Sequence, residues 1–339
     1  MSWITDYTSQ NKPIVALAPM DGYCDSAFRA ICKKVAPEIA VFSEFYSADW
    51  LFYNPKLAEK VLTHDPIEHP LIFQIFGNNP ETFLAAGKLI ESYGAQWVDI
   101  NMGCPAKKVV KCGYGSGLMI DMDKAIKIVN ILAENLGIPV SVKTRLGWTN
   151  ADGLVEFGQA LENAGAQLIT VHGRTFQQEY TGEANWDPIF ELQKNLRIPV
   201  LWNGDCKNYD DGMKKIRVTS DDWENTKILN YKLKTKNYKL ALEGFMIARG
   251  ALGNPWCFLA NNYLPSWQER IMVMAEHMQR MIATKWEQRA CLEIRKHFVH
   301  YLYGFDGVRE YRKRLASLTS LEEATKILEE LIAIPQILK

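Results

Sequence analysis

Short, nearly continuous apolar runs recur along the chain at intervals of a few tens of residues. Each run is rich in β-branched or other large apolar residues, and amphipathic stretches separate consecutive runs. Such runs are typical of strands that are buried on both faces, as in a parallel sheet covered by helices. We therefore predict eight strands, over Ile14–Ala18, Ile39–Ser43, Leu71–Phe76, Trp97–Asn101, Pro139–Thr144, Leu168–His172, Pro199–Asn203 and Gly244–Ala248.

The stretches between the strands have helical periodicity, most clearly over Pro80–Tyr93, Asp123–Leu136 and Gly153–Ala164. Gly137 and Gly165 follow the last two, as expected just after a helix ends. Eight strands with intervening helices predict a (β/α)8 TIM barrel, a fold of about 250 residues. An open, doubly wound sheet is the alternative, but it would not need eight buried strands in succession.

The pattern changes after Pro255, where strand-like runs stop and only helical periodicity remains. We predict an α/β barrel domain over residues 1–255 and a small all-helical domain over 256–339, with helices at Gln268–Trp286, Arg289–Tyr303 and Leu321–Ile332.

Residues 207–243 are long for a single crossover and are rich in lysine, with Tyr231 and Tyr238 interspersed. A short helix is predicted near Asp210–Arg217. Basic and aromatic residues together can contact nucleic acid, but a solvated surface insertion is the favoured interpretation.

Composition narrows the class of protein. Of 339 residues, 47% are hydrophobic and 23% are charged, which excludes a disordered or coiled-coil chain. Lys plus Arg and Asp plus Glu are both 39, which excludes a uniformly basic nucleic-acid coat. The seven cysteines contain no CxxC pair, so neither a disulfide framework nor a metal site is expected. With no signal peptide or apolar span, we expect a cytoplasmic monomer without membrane contact.

Positive charge is concentrated in the helical region, in the strings Arg295–His297 and Arg309–Arg314, beside several tyrosines. This composition suits contacts with phosphates and unstacked bases. An ordinary solvated helical face has the same composition, and both interpretations remain open at this stage.

Polar or otherwise special residues follow all eight predicted strands. In barrels the active site lies at the C-terminal ends of the strands. The candidate positions there are Pro19, Met20, Glu44, Gln74, Asn101, Lys143, Arg145, His172, Arg174, Asn203, Asp205 and Arg249.

Cys104 is the strongest catalytic candidate, because it lies between Gly103 and Pro105 in a turn after the fourth strand. A thiol in such a turn can act as a nucleophile or as a proton donor. The sequence offers no evident Cys-His-Asn set, so proton donation is favoured.

The loops after strands seven and eight predict an anion site. Asn203-Gly204-Asp205 and Ala248-Arg249-Gly250 combine glycines with a fixed positive charge where barrels commonly bind phosphate. Lys143 could stabilise negative charge on a reduced flavin. Because no GxGxxG fingerprint is present, tightly bound FMN is a better match than a Rossmann-bound dinucleotide.

Seven motifs, in order along nearly the whole chain, resemble those of the tRNA-dihydrouridine synthase family. They are Ala18–Met20, Asp99–Pro105, Val142–Arg145, Val171–Thr175, Asn203–Asp205, Met246–Gly250 and Arg295–His297. The resemblance implies an FMN-dependent barrel, NADPH as reductant, tRNA as partner and reduction of the C5–C6 bond of a uridine.

The resemblance also implies roles for individual residues. Cys104 matches the catalytic acid, and Asn101, Arg145 and Arg174 match uracil contacts. Flavin contacts are implied at Pro19, Met20, Asp21, Gln74, Lys143, His172, Asn203, Gly204, Asp205, Ala248 and Arg249. Contacts with the RNA are expected at Lys107, Lys108, Arg295, Lys296 and His297. Three features depart from the family pattern: Ala248 where glycine is usual, Asp21 where a small residue is common, and the long segment before Gly244.

The resulting hypothesis is a tRNA-dihydrouridine synthase in which hydride passes from FMN N5 to uracil C6 and Cys104 protonates C5. The first alternative is an FMN barrel that reduces a free pyrimidine or an enone, which leaves the basic helices without a role. The second is a non-catalytic RNA-binding protein on a degenerate barrel.

Overall fold

The computed structural model of the chain describes residues 12–218, 239–240 and 242–334. Eight parallel strands close into a barrel in the order β1-β8-β7-β6-β5-β4-β3-β2. This confirms the predicted fold class. The strands are β1 (Ile14–Leu17), β2 (Ala40–Ser47), β3 (Leu71–Phe76), β4 (Trp97–Met102), β5 (Val140–Arg145), β6 (Leu168–His172), β7 (Val200–Asn203) and β8 (Gly244–Ile247).

Helices cover the outside of the barrel, and polar side chains cap several of them. The Asp25 carboxylate accepts a hydrogen bond from the amide of Phe28 at 3.0 Å, and Asn79 caps a helix that begins at Pro80. The helices are α1 (Ser26–Val35), α2 (Ala48–Tyr53), α3 (Pro55–Leu62), α4 (Pro80–Ser92), α5 (Lys107–Lys111), α6 (Met122–Asn135), α7 (Leu154–Asn163), α8 (Asp187–Asn195) and α9 (Tyr209–Ile216).

The barrel interior changes from apolar to polar along the strands. Side chains such as Phe42, Ile72 and Trp97 form one buried apolar cluster inside the barrel. Two residues further along the same strands the buried side chains are polar, as at Gln74 and Asp99. Since alternate residues of a strand face the same side, the interior has an apolar layer, and above it a polar layer that opens at the C-terminal mouth.

The remainder of the chain is helical and has its own core. Four helices bury apolar residues against one another, against Trp256 and against Ala27 of α1. They are α10 (Trp267–Thr284), α11 (Glu287–Tyr301), α12 (Arg309–Ala316) and α13 (Leu321–Ile332). Of these, α12 was not predicted from the sequence.

Charged pairs join the helical region to the barrel. Lys285 lies 2.6 Å from Asp25 at the N-terminus of α1, and Arg280 lies 3.0 Å from Asp65. Lys34 forms a further pair with Glu276. The helical region is therefore fixed beside the β1–α1 side of the barrel mouth.

The predicted short helix after β7 is confirmed as α9. At the base of the segment over 207–243, Arg217–Val218 and Lys239–Leu240 pair as two short antiparallel strands. Residues 219–238 and 241 of the predicted insertion lie outside the described residues. Within the described ranges, no helix is both long enough and apolar enough to cross a membrane.

Candidate active site

The Cys104 thiol lies at the barrel mouth on a loop that is held from both sides. Its own amide and that of Gly103 donate to the Asn101 side-chain oxygen, at 2.9 and 3.1 Å. Its carbonyl accepts from the amide of Ser116 at 3.1 Å. Burial is the largest influence on the thiol and raises its pKa, so Cys104 stays protonated at neutral pH. A protonated, partly exposed thiol is suited to proton donation.

A second contact supports this loop from a distant part of the sequence. The Tyr114 hydroxyl donates to Asp49 of α2 at 2.8 Å, and Thr82 donates to the other oxygen of that carboxylate at 2.7 Å. Tyr114 lies two residues before Ser116, which binds the Cys104 carbonyl. Sequence reasoning missed Asp49 and Tyr114, because 65 residues separate them and neither belongs to a recognisable motif.

Gln74 lies in the polar layer below the mouth and links Asp99 to Asn101. Its side chain is fully buried, with the amide nitrogen donating to Asp99 at 2.6 Å and the oxygen accepting from Asn101 at 2.8 Å. Burial raises the pKa of Asp99 to about 6, although the hydrogen bonds from Ser141 and Gln74 act in the opposite direction and lower it. The network therefore fixes Asn101, which in turn fixes the Cys104 loop. In this structure Gln74 and Asn101 support the Cys104 loop, while the expected contacts of Gln74 with flavin and of Asn101 with uracil stay predictions.

Arg145 and Arg174, the expected uracil contacts, hydrogen-bond mainly to other parts of the protein. Both side chains are buried, and most of their donors bind protein oxygens. Arg145 donates to the carbonyls of Gly103, Thr175 and Glu179, and Arg174 to those of Thr181 and Gly182 and to the Asp205 carboxylate. In this structure their hydrogen bonds hold the loop after β6, and the expected contacts of both residues with uracil stay predictions.

Lys143 and His172 stand on neighbouring strands at the mouth. Burial and the nearby Arg145 lower the pKa of Lys143 to about 8. Burial, followed by the surrounding cations, holds the pKa of His172 well below its usual range, so the imidazole is neutral. Its Nε2 lies 3.3 Å from an Arg174 donor, which makes Nε2 the acceptor and leaves the proton on Nδ1.

The loops after β7 and β8 form an open, electropositive corner. A side chain at Gly204, where φ is +116°, would clash with His172, and one at Gly250 would lie 2.2 Å from the Lys207 carbonyl. Only glycine fits at these two positions, because other atoms of the chain occupy the space that a side chain would need. The Arg249 side chain is 71% exposed, with Asp205 3.8 Å away. This donor set fits the phosphate of a flavin mononucleotide.

The other predicted flavin residues are distributed around the same mouth. Pro19, Met20 and Ala248 are half-buried, Asp21 is exposed, and Asn203 is buried with its amide donating to the Met246 carbonyl at 3.3 Å.

The three residues Arg295–His297 do not act as one basic cluster. Arg295 donates to the Leu318 carbonyl at 2.7 Å. The His297 ring is fully buried, 4.9 Å from the Phe28 ring, so its expected contact with RNA is corrected to a role in helix packing. Lys296 also reaches the barrel, with its ammonium 5.3 Å from the Tyr23 ring centroid in the loop after β1.

The predicted RNA contacts Lys107 and Lys108 are exposed on α5, directly after the Cys104 loop. Among the described residues neither has an ion-pair partner, so both ammonium groups are free to meet phosphate.

Together, the fold and the site define a class: a TIM barrel whose C-terminal mouth carries the exposed Arg249, Lys143 and a protonated thiol, an arrangement suited to an enzyme with an anionic cofactor. The comparisons agree. Residues 16–222 and 227–337 match the family described as Dihydrouridine synthase (Dus). The chain belongs to the dihydrouridine synthase family, whose members are flavin-dependent oxidoreductases.

Relatives with curated names cover nearly all of the chain. A probable tRNA-dihydrouridine synthase 1 from Synechocystis sp. is 32% identical over 332 residues, 94% of this chain and 86% of that protein. The tRNA-dihydrouridine synthase B of Pasteurella multocida is 30% identical over 96% of this chain and 94% of its own length. The enzyme of the same name from Pseudomonas putida is 32% identical, over 93% and 89%.

Proposed function

We propose that this protein is a tRNA-dihydrouridine synthase that reduces the C5–C6 bond of a uridine in tRNA, with FMN as its flavin and NADPH as its reductant. The observation that carries the proposal is the placement of the protonated Cys104 thiol at the same mouth as Lys143 and the exposed Arg249. Family membership supports the same reaction.

FMN bound at this mouth would supply the hydride that reaches C6 of the uracil. Arg249 and the backbone at Gly204 and Gly250 would hold its phosphate, and Lys143 would lie beside its ring to stabilise negative charge. Cys104 then donates the thiol proton to C5 of the base. The hydrogen bond that its amide donates to Asn101 and the one that its carbonyl accepts from Ser116 keep the thiol in place.

A uridine inside a base stack cannot reach this mouth, so it must be flipped out of the RNA, at a cost of a few kcal/mol. Contacts with phosphates away from the reacting base offset that cost. We assign them to Lys107 and Lys108 on α5 and to Lys296 on α11, the last within the helical domain that we place at residues 256–339.

The experiment that tests the proposal compares substrates. The flavin-loaded protein receives NADPH together with tRNA that lacks dihydrouridine, with free uracil or with orotate. We expect tRNA alone to accelerate NADPH consumption and to gain dihydrouridine. Equal or faster consumption with a free pyrimidine, and an unchanged tRNA, would instead establish the small-molecule reductase.

A further inference from the structure

The loop after β6, residues 173–183, is held by two buried arginines that come from different places. Arg145 at the end of β5 donates to the carbonyls of Thr175 and Glu179, at 3.1 and 2.7 Å. Arg174 donates to those of Thr181 and Gly182, at 3.1 and 2.6 Å. The carbonyls of Glu179 and Thr181 flank a single residue, Tyr180, which is therefore fixed from both sides.

This arrangement is costly, which indicates that the loop shape matters. The two guanidinium groups are only 2% and 3% exposed, and burying a charge costs several kcal/mol unless hydrogen bonds compensate. Glu179 has φ of +48°, a left-handed conformation that is uncommon for residues other than glycine. Strain of this kind persists where the surrounding structure holds it, often at functional sites.

The side chain that this loop presents is Tyr180, which is 61% exposed. Its ring centroid lies 5.4 Å from the Arg145 guanidinium and 6.4 Å from the His172 ring. Arg145 also donates to the Gly103 carbonyl at 2.7 Å, directly before Cys104. The Tyr180 ring therefore stands at the same rim as the thiol, and among the described residues no hydrogen bond fixes its hydroxyl.

We propose that Tyr180 binds the substrate, with its ring stacked on a nucleobase that borders the flipped uridine. The inference rests on the proposed function. A rigidly presented aromatic face binds any base, and such stacking contributes about 1–3 kcal/mol per base. Arg145 and Arg174 are then positioning residues for Tyr180, because their donors hold the backbone on both sides of it.

Two substitutions distinguish the contribution of the Tyr180 ring to tRNA binding from that of its hydroxyl. Tyr180→Leu removes the aromatic face, and we expect it to raise KM for tRNA about 5- to 150-fold, the equivalent of one lost stacking contact. Tyr180→Phe keeps the face, and we expect it to keep the wild-type KM. Both variants should retain the wild-type flavin content and the wild-type rate of flavin reduction by NADPH without tRNA.

Three results would overturn the inference: a wild-type KM in Tyr180→Leu, an equal rise of KM in Tyr180→Phe, or loss of flavin from Tyr180→Leu. The last would place the ring against the cofactor instead of the RNA. The wild-type enzyme separates this inference from the proposed function. If it forms no dihydrouridine in tRNA, the proposed function fails; if it does and Tyr180→Leu is normal, only the role of Tyr180 fails.

Discussion

At the scale of single residues, the position of Cys104 depends on its backbone neighbours and not on the thiol itself. Asn101 binds its amide, and Ser116 binds its carbonyl. Removing the sulfur therefore leaves the loop unchanged, so a substitution at Cys104 isolates the proton donor.

We expect Cys104→Ala to bind flavin and tRNA normally and to lose about 10²- to 10⁴-fold in the rate of uridine reduction, the usual contribution of a general acid. A single-turnover experiment with NADPH-reduced enzyme and tRNA measures this rate. Cys112→Ala is the matched control, because that exposed cysteine lies on the same loop region and should keep the full rate. Turnover by Cys104→Ala at the wild-type rate would exclude the assignment.

Sequence reasoning found the residues of the mouth but not the direction in which each side chain faces. Arg145 and Arg174 were located correctly at strand ends. Their orientation toward the loop backbone depends on carbonyls that come close only in the folded barrel. Tyr180 was overlooked because a lone tyrosine between polar residues gives no periodic signal, and its importance comes from those same carbonyl contacts.

At the scale of elements, α11 shows how helix geometry separates adjacent residues. Successive side chains point about 100° apart, so Arg295, Lys296 and His297 face three different surroundings. His297 packs on His277 of α10, with ring centroids 4.6 Å apart, in the layer between the helical region and α1.

Burial, partly opposed by the nearby Asp25, lowers the pKa of His277 to about 4. The folded state disfavours the charged ring, so the neutral His277 ring stabilises the fold fully above the unfolded pKa of about 6.5. This stabilisation is lost as the pH falls toward 4. We expect a loss on the order of 3 kcal/mol in the free energy of unfolding from this group.

Urea denaturation followed by tryptophan fluorescence between pH 7 and pH 4.5 measures this dependence. His277→Gln cannot take up a proton in that range, so its stability should fall less steeply than that of the wild type. Parallel curves for the two proteins would show that His277 does not titrate on unfolding.

The predictability of each element follows from its burial. All eight strands of the barrel were predicted, because strands buried on both faces produce continuous apolar runs. Helix α12 (Arg309–Ala316) was missed because only Leu315 of its eight residues is buried. With one buried position it gives too weak an amphipathic pattern, and its contacts with neighbouring helices cannot be read from the sequence.

At the scale of the whole molecule, the barrel supplies the chemistry and the helical region supplies a second surface beside the mouth. The ion pair between Lys285 and Asp25 and the contact of Lys296 with Tyr23 join the two at the β1–α1 side. The order of barrel and helices was predictable from the change of periodicity after Pro255. Their relative placement was not, because it depends on single charged pairs distant in sequence.

The most direct test of the account is position-resolved mapping of dihydrouridine in tRNA that has been incubated with the purified, flavin-loaded protein and NADPH. We predict that the wild-type protein converts uridine to dihydrouridine at defined positions, and that Cys104→Ala leaves the same positions as uridine. Unmodified tRNA after incubation with the wild-type protein, or equal modification by both proteins, would contradict the account.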